Sequence, residues 1–99
     1  MAYKIEFANC VKEHFKCLNA NQRILVMDGI EKQLFHEPLK ETRNRKPLRP
    51  NPIAPWELRI GKLRIFYDIT PDEPDVVKIL AVGYKEGNTL FIAGKEVKL

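Results

Sequence analysis

With 99 residues, 44% of them hydrophobic, the chain suffices for one domain around a single core, and it holds no apolar run near the ~20 residues that cross a bilayer. The net charge of +4 is uneven: residues 40–64 carry eight Lys/Arg against Glu41 and Glu57, a local +6, and the remainder sums to −2. Regional basicity of this kind points to a polyanion or an acidic protein segment as partner, and the opening Met1-Ala2-Tyr3-Lys4-Ile5 is no signal sequence, so a cytoplasmic protein is expected.

From the N-terminus, Tyr3, Ile5 and Phe7 alternate with Lys4 and Glu6, the period of a strand reaching Ala8. Asn9 is placed to cap a first helix in which Val11, His14, Phe15 and Leu18 recur at helical spacing. Cys10 and Cys17 then share that helix about 10 Å apart, too far for a disulfide. Cys10, His14 and Cys17 follow one helical face, but the sequence offers no fourth ligand, so packed thiols and no metal are expected. Asn19-Ala20-Asn21 breaks and recaps the chain into a second helix, striped by Ile24, Met27, Ile30 and Leu34 and ending before Pro38. Gly29 inside it suits a close approach of helix on helix.

Between Glu37 and Pro55 the composition changes, as Pro38, Pro47, Pro50, Pro52 and Pro55 interleave with Lys40, Arg43, Arg45, Lys46 and Arg49. Proline removes donors and fixes φ, which predicts an irregular basic loop. Trp56 to Ile69 then alternates apolar and polar residues on both sides of Gly61-Lys62, the pattern of two strands joined by a two-residue turn. Side chains of a strand alternate faces, so Ile60 should oppose Leu63, Arg59 oppose Arg64, Leu58 oppose Ile65, Glu57 oppose Phe66 and Trp56 oppose Tyr67. One face carries Trp56, Leu58, Ile60, Leu63, Ile65 and Tyr67; the other carries Glu57, Arg59, Arg64 and Phe66. Directly opposed arginines repel, so an anion should lie between them: a bound phosphate, or the protein's own acids on a solvated face. Thr70-Pro71-Asp72-Glu73-Pro74-Asp75 reads as a turn, and Val76 to Gly83 as a central strand covered on both faces. Thr89 to Ala93 fits either another strand or the start of a short terminal element.

Strand, helix, helix, basic loop, the W-E-L-R-I-G-K-L-R-I-F-Y-D-I hairpin and then V-V-K-I-L-A-V-G-Y-K-E give an order that resembles the RelE/ParE superfamily of bacterial toxin–antitoxin toxins, over about Tyr3 to Ile92. The resemblance implies an α+β fold, a small twisted antiparallel sheet with an N-terminal helical hairpin on one face, in a single domain over residues 1–99. The opposite face would be the active or binding surface. Toxins of the RelE branch cut messenger RNA in the ribosomal decoding site. Carried over position by position, the middle-strand arginine of that site falls on Arg64, a second basic position on Arg59, and the basic residue after the V-G of the long strand on Lys85. A position often filled by lysine is Glu57 here, and one that can be tyrosine near the C-terminus is Phe91.

The implied chemistry is attack of a ribose 2′-hydroxyl on the adjacent phosphate, with no metal or other cofactor. Arg64 and Arg59 would stabilise the charge that gathers on the phosphoryl oxygens, and Lys85 would assist the leaving oxygen. Glu57 would either take the hydroxyl proton or only neutralise Arg59. Lys40, Arg43, Arg45, Lys46, Arg49 and Lys62 would hold the RNA backbone, with Phe66 and Phe91 positioned to stack on bases. Both His14 and His36 fall on the helical hairpin, expected to face away from the site. The implied partners are a cognate antitoxin, the ribosome and mRNA. Two other readings of the same pattern stand beside this one: a ParE-like poison of DNA gyrase, and a catalytically silent module that binds an antitoxin.

Overall fold

The computed structural model describes residues 3–98. In chain order it forms β1 (Lys4–Phe7), α1 (Val11–Lys16), α2 (Ala20–Leu34), β2 (Arg45–Pro47), β3 (Trp56–Ile60), β4 (Leu63–Asp68), β5 (Val76–Glu86), β6 (Thr89–Ile92) and β7 (Lys95–Val97). The α+β architecture is the expected one. Six strands lie side by side in the order β2-β3-β4-β5-β6-β7, antiparallel throughout, while β1 adds to β5 in parallel. The sheet is therefore not wholly antiparallel, because the two helices between β1 and the hairpin act as a crossover that returns the chain to the same sheet. Among the described residues no helix is long and apolar enough to cross a membrane.

At the centre, β5 is longer than its apolar run and spans two neighbourhoods. Its first half lies between β1 and β4, its second half between β6 and β4. Where β1 ends and β6 has not begun, the edge of β5 needs partners, since a buried backbone group without one costs about as much as a lost hydrogen bond. Helix α1 supplies them: the Cys10 thiol donates to the Leu80 carbonyl at 3.3 Å, and His14 Nδ1 accepts from the Val82 N–H at 3.2 Å. Leu80 is also the extra residue of a bulge, for the pairing slips between Phe66 and Tyr67.

Helix α2 begins in a reciprocal capping box, Asn19 accepting from the Gln22 N–H and Gln22 from the Asn19 N–H. For α1 the expected cap is displaced: Cys10 stands at the N-cap and no side chain caps the helix. Cys10 and Cys17 thus bracket α1, and both are exposed free thiols where packed ones were expected.

The buried stripe of α2 is Val26, Gly29, Ile30 and Leu34, whereas Ile24 and Met27 are 67% and 46% exposed. Apolar residues at 24, 25, 26, 27, 30 and 34 cover more than half the helix circumference, so periodicity alone fits two stripes. Gly29 chooses between them. A Cβ there would come within 2.8 Å of Ile60 on β3, so the glycine marks a close approach of helix to strand, where a helix–helix contact was expected.

The main core lies between the helices and one face of the sheet and includes Val11, Leu18, Val26, Ile30, Leu34, Leu58, Leu63, Ile65, Tyr67, Val77, Ile79 and Val82. Tyr67, fully buried, donates its hydroxyl to the Pro38 carbonyl at 2.5 Å, and burial pushes its pKa far up. A second, smaller cluster fills part of the opposite face: Phe66, Ala81, Leu90 and Ile92, with Ala54, Leu48 and Ile53 of the proline-rich segment packed onto them. That segment is less irregular than expected. It contributes edge strand β2, and Asn51 holds its tip with bonds to the Arg49 and Ala54 carbonyls and from the Ile53 and Ala54 N–H groups. Thr89 to Ala93 resolves as β6, which turns back into β7 through Ala93 (φ 54°) and Gly94 (φ 76°).

Candidate nucleic-acid interface

Hairpin β3–β4 has the register that alternation dictates: Trp56 opposite Tyr67, Glu57 opposite Phe66, Leu58 opposite Ile65, Arg59 opposite Arg64 and Ile60 opposite Leu63. Gly61 takes φ 58° at the first turn position, a conformation that costs glycine nothing. Leu58, Leu63, Ile65 and Tyr67 enter the core under the helices. Glu57, Arg59, Arg64 and Phe66 therefore project to the other side. The hairpin end is fixed from outside by Asn44, whose carbonyl accepts from the Arg59 N–H and whose amide donates to the Arg59 carbonyl, both at 2.8 Å.

An anion does sit between the opposed arginines, and it is Glu57. Its Oε2 accepts from Arg59 Nε at 2.8 Å and its Oε1 lies 3.6 Å from Arg64 Nε. The carboxylate side chain is only 3% exposed, Arg64 is 13% exposed and Arg59 is 45% exposed. A buried glutamate is stable only when paired, and two guanidiniums supply the pairing. Arg64 is held twice more, Nη1 donating to the Gly61 and Leu63 carbonyls at 2.7 and 2.8 Å, while its Nε is buried without a hydrogen-bond partner. Burial lowers the Arg64 pKa; Glu57 works against that shift and Arg59 adds to it. Enclosed and engaged by both arginines, the Glu57 carboxylate presents no open oxygen to a ribose hydroxyl, so the neutralising role fits it better than that of a base.

Successive pairings extend this row across the sheet. Arg64 opposes Gly83, Gly83 opposes Ile92, and Ile92 opposes Lys95. Lys85, half-buried, stands two residues beyond Gly83 on β5, and its N–H bonds the Lys62 carbonyl of the hairpin turn at 2.8 Å. On β2, Lys46 opposes Glu57 and reaches Glu41 at 3.6 Å. The sheet thus brings Arg59, Arg64, Lys85, Lys46 and the turn lysine Lys62 to one face and end. Lys95 shares it, and only the unrecognised Ala93-Gly94 turn kept it from being read in the sequence.

Other expected contacts lie elsewhere. Phe66 is 0% exposed beneath the proline-rich segment, so its ring has no free face for a base. Phe91 is on the helix-side face, stacked on Tyr84 with ring centroids 5.5 Å apart, because a strand beginning at Thr89 sends residue 91 to the side opposite Leu90 and Ile92. Arg45 is 8% exposed and spends its guanidinium on the Gln33 and Lys40 carbonyls at 2.6 and 3.0 Å, tying the loop to the end of α2. Lys40 reaches Glu37 at 3.4 Å, and Arg43 and Arg49 are exposed on the flank. His14 is engaged with β5 as described and His36 is exposed at the end of α2. The largest exposed apolar side chains include Phe7, Ile24, Leu25 and Met27, on the helical side.

No protein-family model matches the sequence, and no curated protein resembles it closely enough to count as a match. The fold does find a counterpart. A chain of the RelBE2 toxin–antitoxin complex from Mycobacterium tuberculosis superposes with a TM-score of 0.71 at 26% identity, covering 86% of this chain and all of that one. The chain resembles the RelE-like toxins in its fold.

Proposed function

We propose that this type II toxin acts on RNA, as a ribosome-dependent mRNA endonuclease that arrests translation, and that a cognate antitoxin holds it inactive in the cytoplasm. One observation carries the reading: Arg59 and Arg64 stand directly opposite one another on a face that also bears Lys46, Lys62 and Lys85. Glu57 neutralises one of these two cations, so together with the lysines the face keeps an excess of positive charge, and a nucleic-acid backbone brings one anion per nucleotide to meet it.

In the proposed reaction the 2′-hydroxyl gives its proton to water as it attacks the neighbouring phosphorus, and the bond to the 5′-oxygen of the next nucleotide breaks, that oxygen taking a proton from water, so that a 2′,3′-cyclic phosphate and a 5′-hydroxyl result. Negative charge accumulates on the non-bridging oxygens, where Arg59 and Arg64 supply preorganised donors. Lys85 faces the leaving oxygen as a positive charge. The antitoxin reading is supported by the neighbouring fold, which was solved as a toxin–antitoxin complex. Its inhibitory segment is expected to be acidic and to cross the basic face, so that hydrogen exchange slows around Arg59, Arg64 and Lys85 in the complex.

Induced expression tests the toxin reading. The unaltered chain should stop growth and leave cleaved transcripts, and Arg64→Ala should lose cleavage by about 10²–10³ while keeping its circular dichroism spectrum. A folded Arg64→Ala protein that still cuts RNA at the original rate would refute this site.

A further inference from the structure

Among the described residues Glu57 is the one charged group on the basic face with its side chain almost wholly enclosed, and it stands unevenly between its two partners, 2.8 Å from Arg59 Nε and 3.6 Å from Arg64 Nε. The longer distance leaves Arg64 Nε as a buried donor with nothing to donate to. Such a group costs about as much as a lost hydrogen bond, so the free protein holds one well-made ion pair and one unfinished one. The two arginines also differ in freedom. Arg64 is 13% exposed and its Nη1 is fastened to the Gly61 and Leu63 carbonyls, whereas Arg59 is 45% exposed and Glu57 is its only ion-pair partner among the described residues. Only Arg59 can turn outward without leaving buried donors behind.

We propose that Glu57 is a resident stand-in for phosphate: it holds Arg59 in the free protein, yields Arg59 to a phosphate of the RNA backbone on binding, and closes on Arg64 Nε as it does so. The inference rests on the RNA-binding reading given above and adds a positioning residue to it. A carboxylate and a phosphodiester each present two oxygens to a guanidinium fork, so the exchange replaces one charge-assisted pair by another of the same kind. Completion of the Glu57–Arg64 bond offsets the loss of the Glu57–Arg59 bond. The internal anion therefore lowers affinity for any lone phosphate, and it favours a polyanion long enough to meet Lys85, Lys46 and Lys62 as well.

The test uses a 2′-O-methyl RNA oligonucleotide, which binds but cannot be cut, with inorganic phosphate at matched ionic strength as the lone-anion control. Glu57→Gln keeps shape and removes the competing charge. It should bind the oligonucleotide several-fold tighter, with little change in the slope of log affinity against log salt, since Arg59 meets one phosphate in both proteins. Inorganic phosphate should bind far more weakly than the oligonucleotide to both proteins, and more tightly to Glu57→Gln than to the unaltered chain. On the unaltered protein, nitrogen-15 spectra of the arginine Nε–H groups should show Arg59 shifting and Arg64 gaining a hydrogen-bonded, slowly exchanging signal at saturating RNA. That spectrum also decides the matter if Glu57→Gln does not fold. Unchanged or weaker binding by folded Glu57→Gln, or an Arg59 signal indifferent to RNA, overturns the proposal. Should Arg59→Ala and Arg64→Ala bind the oligonucleotide as well as the unaltered chain, the RNA site itself is wrong. Should both lose affinity while Glu57→Gln gains none, only the stand-in role fails.

Discussion

The two faces of the sheet are built on different principles. On the helix side, every inward residue of β3 and β4 is apolar, two helices cover them, and Tyr67 finds a carbonyl partner for its hydroxyl. On the other side a proline-rich segment covers only Phe66, Ala81, Leu90 and Ile92, and the uncovered part carries the arginines, lysines and one enclosed glutamate. The first face is held by burial that needs no particular geometry. The second is a patchwork in which a small apolar cluster and a paired acid hold cations at fixed places, which is what a surface for a polyanion requires.

If the second face is truly anchored by its small cluster, Phe66→Ala should destabilise the protein by about 3–5 kcal/mol, as much as a truncation in the main core. Urea unfolding measures it; a shift under 1 kcal/mol together with a loss of RNA affinity would make the ring a base-stacking group after all. The two hairpins offer a finer contrast. Gly61 occupies its positive φ freely, whereas Ala93 at φ 54° bears a Cβ there. Ala93→Gly should accordingly raise stability by about 0.5–1 kcal/mol, read as a higher Tm of a few degrees, with no change in RNA binding. No gain in Tm would mean that the strain is relieved elsewhere.

The smallest effect belongs to the helix side. Burial holds the His14 imidazole below its ordinary 6.5, and its Nδ1 must stay unprotonated to accept from Val82. The folded protein then binds fewer protons than the unfolded chain, so stability rises with pH: the contribution is complete above pH 6.5 and is lost as pH falls through the lowered folded value. His14→Gln keeps an acceptor for Val82 without the titration. It should flatten the dependence of Tm on pH below about 6.5, and an unaltered slope would assign that slope to another group.

The sequence by itself determined what depends on neighbours along the chain. The period of two on each side of Gly61-Lys62 set the hairpin register and the separation of Arg59 and Arg64 from the core, and a near-continuous apolar run marked β5 as the central strand. Tertiary structure decided what depends on distant neighbours. Ile24 and Met27 are outside because Gly29 meets Ile60; Phe66 is enclosed because residues 48–54 fold over it; Phe91 faces the helices because the pairing of β6 with β5 sets it opposite Tyr84. Glu57 shows the division most clearly. Alternation put it on the basic face, yet only the packed sheet, by removing water from its carboxylate, made it the anion that the two arginines share.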